Sequence, residues 1–201
     1  MKLSAFEQKQ IDQGNRDYKE GRGFSKDSLR FERYFHFIKK FDKFDVNSKI
    51  LDVGCGTGPL EIHLDKYGFK NVEAIDFAQE GLNRAKSSAP RYNYAVGDVK
   101  ELDRIYAGRS FDVIFCCQVL EHVPNDRLVL KHMWNLLKPD GLLIISTPFE
   151  TFKRNELHCN FYSYKTWDEI CNKLFNTTPL VNERFGENNI QLLMIVRKSG
   201  E

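Results

Sequence analysis

Short apolar runs alternate with segments of helical periodicity from residue 49 to residue 146, and this alternation restricts the possible fold more than any other feature. The runs cover residues 50–53, 72–77, 92–96, 111–119 and 142–146, and the periodic segments cover 60–67, 80–88 and 126–137. The last segment is stopped by Lys138-Pro139-Asp140-Gly141. Strands apolar on both faces and separated by helices predict a parallel sheet covered on both sides. Right-handed crossovers make that sheet doubly wound. A further helix is predicted over 163–175, followed by strands over 180–185 and 190–196. Only Gly186-Glu187-Asn188-Asn189 join those two strands, too few residues for a crossover, so they must pair antiparallel. The expected fold is α/β, a doubly wound, seven-stranded, mostly parallel sheet ending in an antiparallel hairpin.

The first run leads into Leu51-Asp52-Val53-Gly54-Cys55-Gly56-Thr57-Gly58. A glycine-rich turn between a strand and a helix lets a ligand approach backbone N–H groups at the helix N-terminus. The spacing Gly54-x-Gly56-x-Gly58 is not the G-x-G-x-x-G of dinucleotide folds, and no G-K-[ST] follows. Asp52 would repel a pyrophosphate and suits an ammonium group. Asp76 ends the second run, where an acid can accept ribose hydroxyls or cap the next helix, and both roles are compatible. Phe77 would lie against a nucleobase. Asp98 follows the third run and is either a ligand or an ordinary turn aspartate.

The glycine segment resembles motif I of the class I S-adenosylmethionine-dependent methyltransferases, and the order of elements resembles their Rossmann-like fold from about residue 30 onward. The resemblance implies S-adenosyl-L-methionine as cofactor, with S-adenosyl-L-homocysteine as product. It places Asp52, Gly54, Cys55, Gly56, Gly58, Asp76, Phe77, Asp98, Val99 and Gln118 around that cofactor, with Asp98 at the adenine amino group. The run Val119-Leu120-Glu121-His122-Val123-Pro124 resembles the small-molecule methyltransferases that include the ubiquinone-pathway O-methyltransferases.

Strands one and four flank the switch point of such a sheet, so the end of strand four should face the methyl donor. A base is needed only when the acceptor is protonated at neutral pH, and histidine has the suitable intrinsic pKa. His122 is the first candidate base, against a purely packing role. His158, in Glu156-Leu157-His158-Cys159-Asn160-Phe161-Tyr162, is the second, against a surface-loop role. Some relatives carry E-x-x-E-H here and bind a divalent ion, whereas this chain has Gln118-x-x-Glu121-His122. A neutral amide is a poor exchange for a carboxylate on a hard cation, so no metal is expected, with a partial site of Glu121, His122 and His158 as the alternative.

Residues 1–45 are expected to form a helical appendage or lid on a cofactor-binding domain over 46–201. Within it Phe31, Tyr34, Phe35, Ile38 and Phe41 recur at helical spacing after Ser28. These aromatics either wall an acceptor site or cover a sheet face, while Tyr18, Arg22 and Phe24 follow no pattern. A net charge of +2 is too mild to imply nucleic acid or an anionic membrane. Five cysteines without C-x-x-C spacing fit a reduced protein, and the first residues lack a signal-peptide pattern, which makes the cytoplasm the expected compartment. The expected activity is methyl transfer to an oxygen of a small molecule: a phenol, sugar hydroxyl, carboxylate or phosphonate. The alternatives are an RNA or protein methyltransferase and a cofactor-binding protein without catalysis.

Overall fold

The computed structural model describes residues 4–20, 32, 34, 36, 44–150, 156–185 and 191–200. A seven-stranded sheet runs through it. In chain order its strands are β1 (Lys49–Val53), β2 (Asn71–Asp76), β3 (Asn93–Val96), β4 (Phe111–Cys117), β5 (Leu137–Pro148), β6 (Val181–Phe185) and β7 (Gln191–Arg197). The spatial order is β3-β2-β1-β4-β5-β7-β6. The first five strands are mutually parallel. β7 pairs antiparallel with both β5 and β6, so the expected hairpin is present and its second strand lies inside its first. The connection 186–189 lies outside the described residues, as do Ser28, Phe31, Phe35, Ile38 and Phe41 of the expected 28–41 helix, and Arg22 and Phe24.

The helices are α1 (Ala5–Lys19), α2 (Pro59–Lys66), α3 (Gln79–Ser88), α4 (Leu102–Ile105), α5 (Asp126–Leu136) and α6 (Tyr164–Ile170). α6 continues through one π turn over Cys171–Phe175 and stops at Asn176, which takes a left-handed φ of 50°. α5 ends where Lys138-Pro139-Asp140-Gly141 predicts, yet Leu137 already pairs with Phe111. The register then shifts, and pairing resumes at Val113 with Leu142. Pro139 and the left-handed Asp140 (φ 63°) suit that bulged excursion, and Lys138 Nζ anchors it on Asp112 Oδ1 at 2.8 Å.

The two-residue period of the strands divides the core into two layers. Leu51, Val53, Ile114, Cys116, Leu143 and Ile145 face one side, against α5 and α6. Ile50, Val113, Phe115, Leu142 and Ile144 face the other, against Leu60 and Leu64 of α2 and against Tyr34. Tyr34 is fully buried, and its hydroxyl donates to Ser146 Oγ at 2.7 Å, so it belongs to the sheet-covering layer. Leu143→Ala and Ile144→Ala open cavities on opposite faces of one strand. Each should cost about 2–5 kcal/mol of stability in denaturant unfolding if both layers are packed core.

Candidate active site

The carboxyl ends of the five parallel strands lie along one edge, and β1 and β4 are neighbours although their following helices cover opposite faces. That switch point is where ligands bind in open α/β sheets. The backbone must leave β1 sharply there, and Gly54 and Gly56 adopt φ of 80° and 55°, which side chains disfavour. The Gly54 and Cys55 amides donate to Ile75 O at 2.8 and 3.1 Å. The Gly56 amide donates to Asp76 Oδ2 at 2.8 Å, and Asp76 Oδ1 accepts from the Ala78 amide at 2.8 Å. Asp76 therefore ties the glycine loop to the start of α3, and it also lines the adjoining cavity. A Cβ at Gly54 would lie 2.2 Å from Val119 Cγ2, and one at Gly58 would lie 2.8 Å from Ala85 Cβ. Gly58 thus serves close packing of the loop on α3.

Asp52, expected at an ammonium group directly or through water, is buried. It does not line the cavity; it is buried beneath the loop with its carboxyl on that of Glu61 in α2. The strand pleat turns residue 52 toward the α2 layer, away from the open edge. Burial pushes the Asp52 carboxyl up to about 7 and Glu61 well above the ordinary range, because the charged forms lose their hydration there. Cys55 is likewise buried and does not line the cavity.

A cavity of about 470 Å³ opens beside the loop. Asp76, Phe77, Asp98 and Val99 line one end, and Gly54, Gln118 and Val119 line the middle. Asp98 Oδ1 accepts from the Lys100 amide at 2.9 Å, which caps the turn over Val99–Glu101, so the turn role and the lining role coexist. Gln118 has a left-handed φ of 60°, its amide donates to Ser146 O at 2.8 Å, and its Nε2 donates to Ser146 Oγ at 3.3 Å.

His122, Val123, Pro124 and Leu157 line the far end. The turn over Leu120–His122 is held by the segment before α6: Asn160 Nδ2 donates to Leu120 O and Val123 O at 2.8 and 2.7 Å, and the Cys159 amide donates to Glu121 O at 2.7 Å. The buried Tyr162 hydroxyl donates to Asp126 Oδ2 at 2.7 Å. This zipper brings His122 and His158 together, their ring centroids 4.8 Å apart. His122 Nδ1 lies 3.0 Å from Leu157 O, which can only accept, so Nδ1 carries the proton and Nε2 keeps its lone pair. Burial lowers the pKa of both histidines. Glu121, His122 and His158 present ligand atoms within 4.8 Å of one another.

The lining residues to which the sequence reading assigned no role belong to α1. It spans the cavity with Gln10, Ile11, Gly14 and Tyr18. Tyr18 covers the glycine loop: its hydroxyl lies 2.9 Å from where a Gly56 Cβ would sit, and its ring 2.9 Å from a Cβ on Gly81. Asn15 Oδ1 accepts from the Glu80 amide at 3.3 Å, and Arg84 donates to Lys19 O at 3.1 Å, binding α1 to α3. Its helix is polar apart from a few positions, which hid it. The signal that finds it is Ser4 followed three residues later by Glu7, the spacing of a capping box.

A glycine cradle, a carboxylate at the end of β2 and an acid after β3, on this strand order, define a class I methyltransferase domain. The chain belongs to the methyltransferase-domain family, whose profile matches residues 27–178, about three quarters of its length. S-Adenosylmethionine is the methyl donor of that family, and the cradle suits it: a Cβ on Gly54 or Gly56 would crowd the loop, and the cavity adjoins both Asp76 and Asp98. Among curated relatives, the chain is 35% identical over 127 residues to a ubiquinone biosynthesis O-methyltransferase of Rickettsia conorii, covering 61% of this chain and 40% of that protein. It is 36% identical over 107 residues to the protein of the same name from Neisseria meningitidis, covering 49% and 43%. The chain thus spans less than half the length of these relatives. Among solved structures, the 1,6-didemethyltoxoflavin-N1-methyltransferase of Burkholderia thailandensis shares the fold with a TM-score of 0.75 at 21% identity, covering 99% of this chain and 92% of that one.

Asp76→Ala removes a carboxylate that both ties the loop and lines the cavity. It should weaken S-adenosylhomocysteine binding by about 1–3 kcal/mol in calorimetry, the scale of losing hydrogen bonds to a charged group. The Asp52–Glu61 pair carries a pH signature. Both carboxyls titrate near ~4 when unfolded and higher when folded, so their contribution is complete below that value and is lost as pH rises through the folded values. Glu61→Gln should therefore flatten the fall in Tm between about pH 5 and 8.

Proposed function

We propose that this chain transfers a methyl group from S-adenosylmethionine to a hydroxyl oxygen of a small molecule, with His122 as general base. The observation that carries the reading is the His122 side chain: it lines the cavity, donates from Nδ1 to Leu157 O, and is neutral near pH 7 because burial lowers its pKa. Asp76, Phe77, Asp98 and Val99 would hold the adenosine part, and Gly54 and the strained Gln118 turn the methionine part. The bound cofactor supplies an electrophilic methyl group and leaves as S-adenosylhomocysteine. His122 Nε2 takes the acceptor proton as the oxygen gains the methyl. His158 packs edge-on against His122 and helps keep water from it. The apolar Ile11, Val123, Pro124 and Leu157 suit an uncharged acceptor body. The relatives named O-methyltransferases support oxygen as the acceptor atom.

In this reading residues 1–45 supply the cover and acceptor wall of a domain over 46–201. The five cysteines are free thiols, three of them buried, which suits a reducing compartment and supports the cytoplasm. Among the described residues no helix is long and apolar enough to cross a membrane.

Screening phenols, sugars and acids for methyl transfer identifies the acceptor, and His122→Ala should then reduce kcat by about 10²–10⁴. Because the pKa of His122 is lowered from its usual value, the acid limb of the rate profile should fall below ~6.5 and vanish in that variant. A small loss on every substrate would instead leave alignment as the only contribution of this end of the cavity. The reading uses no metal, so a chelator should leave turnover unchanged, and a loss restored by a divalent ion would reassign His122 and His158 as ligands.

A further inference from the structure

The helix over the cavity and the two histidine-bearing segments meet at one side chain. Gln10, on the cavity side of α1, donates from Nε2 to His122 O at 2.7 Å and to Leu157 O at 3.3 Å. Both partners are carbonyl oxygens, which can only accept, so the amide nitrogen and not its oxygen must face them. Leu157 O therefore accepts from two donors, Gln10 Nε2 and the Nδ1–H of His122. The latter bond selects the His122 tautomer and aims its ring.

We propose that Gln10 is a positioning residue that joins the segments carrying His122 and His158 across the cavity end, so that seating α1 sets the tautomer and orientation of His122. The inference rests on His122 being the base of the reaction, and it adds the device that prepares it. The segments are also joined from behind by Asn160, whose amide donates to Leu120 O and Val123 O. That bond lies on the protein side of the turn. Gln10 closes the cavity side, and it does so from the helix that carries Tyr18 over the glycine loop eight residues further on. The same helix thus reaches both the cofactor cradle and the base. Beside His122 lie His158 at the ring and the buried Glu121, next to it in the chain.

The test uses the full chain labelled with ¹⁵N-histidine and saturated with S-adenosylhomocysteine, at about pH 8, well above the usual histidine pKa of ~6.5. His122 is assigned by its loss in His122→Asn. In the wild type the His122 signals should show protonation at Nδ1. Gln10→Ala should shift them toward a mixture of both tautomers, and Gln10→Lys, which restores a donor able to reach two carbonyls, should return them to the Nδ1–H form. Affinity for S-adenosylhomocysteine should stay within about threefold in both variants. Folding alone does not distinguish alanine from lysine at this partly exposed position, so the rescue separates positioning from general stability. A His122 tautomer unchanged in Gln10→Ala overturns the role of Gln10 and leaves His122 as base. Loss of cofactor affinity by more than about tenfold with the tautomer intact overturns it as well, because Gln10 would then act on the cradle. An Nε2–H tautomer in the wild type overturns the base assignment itself.

Discussion

The hydrogen bond from the Gly56 amide to the Asp76 carboxylate is the constraint from which the rest of the site follows. It crosses from the end of β1 to the end of β2 and is backed by Ile75 O, which accepts from the two preceding amides. With its other oxygen on the Ala78 amide, Asp76 fixes three things together: the path of the glycine loop, the start of α3 and one wall of the cavity. A buried carboxylate is expensive unless its oxygens are satisfied, and backbone amides satisfy both here. The loop path is thereby fixed, and Val119, just past the end of β4, can pack against Gly54 at a distance no other residue allows.

Around that loop the acids differ in what they face. Asp76 and Asp98 reach the cavity, where their charge is useful to a nucleoside. Asp52 and Glu61 are directed into the α2 layer, where an ionised pair without a cation is costly and burial raises both carboxyls. At the opposite end the same device acts on histidines: burial keeps His122 uncharged, and a backbone carbonyl decides which nitrogen holds its proton.

Much of this was legible in the residues. The alternation from 49 to 146 specified the parallel sheet, the short 186–189 connection specified the antiparallel end, and Gly54-x-Gly56-x-Gly58 with Asp76 and Asp98 specified the cofactor cradle. Two features depended on packing that the residue order does not carry. Asp52 follows the apolar run by order alone, and its direction depends on the strand pleat and on Glu61, nine residues away. α1 has too few apolar residues to announce itself, because the surface it covers is a cavity and a helix rather than a core.

By itself the sequence determined the order of elements, the loop geometry that glycine permits, and the acids placed at strand ends, because these depend on neighbours along the chain. Only the tertiary structure decided which acids face the cavity, that Tyr18 lies over Gly56, and that Gln10, His122 and Leu157 share one carbonyl. The Gln10 contacts join residues more than a hundred positions apart, and their geometry is set by how α1 rests on the sheet edge. The physical reason is range: backbone conformation is encoded locally, whereas the partner of a buried polar group is chosen by whatever the packed layers bring within hydrogen-bond distance.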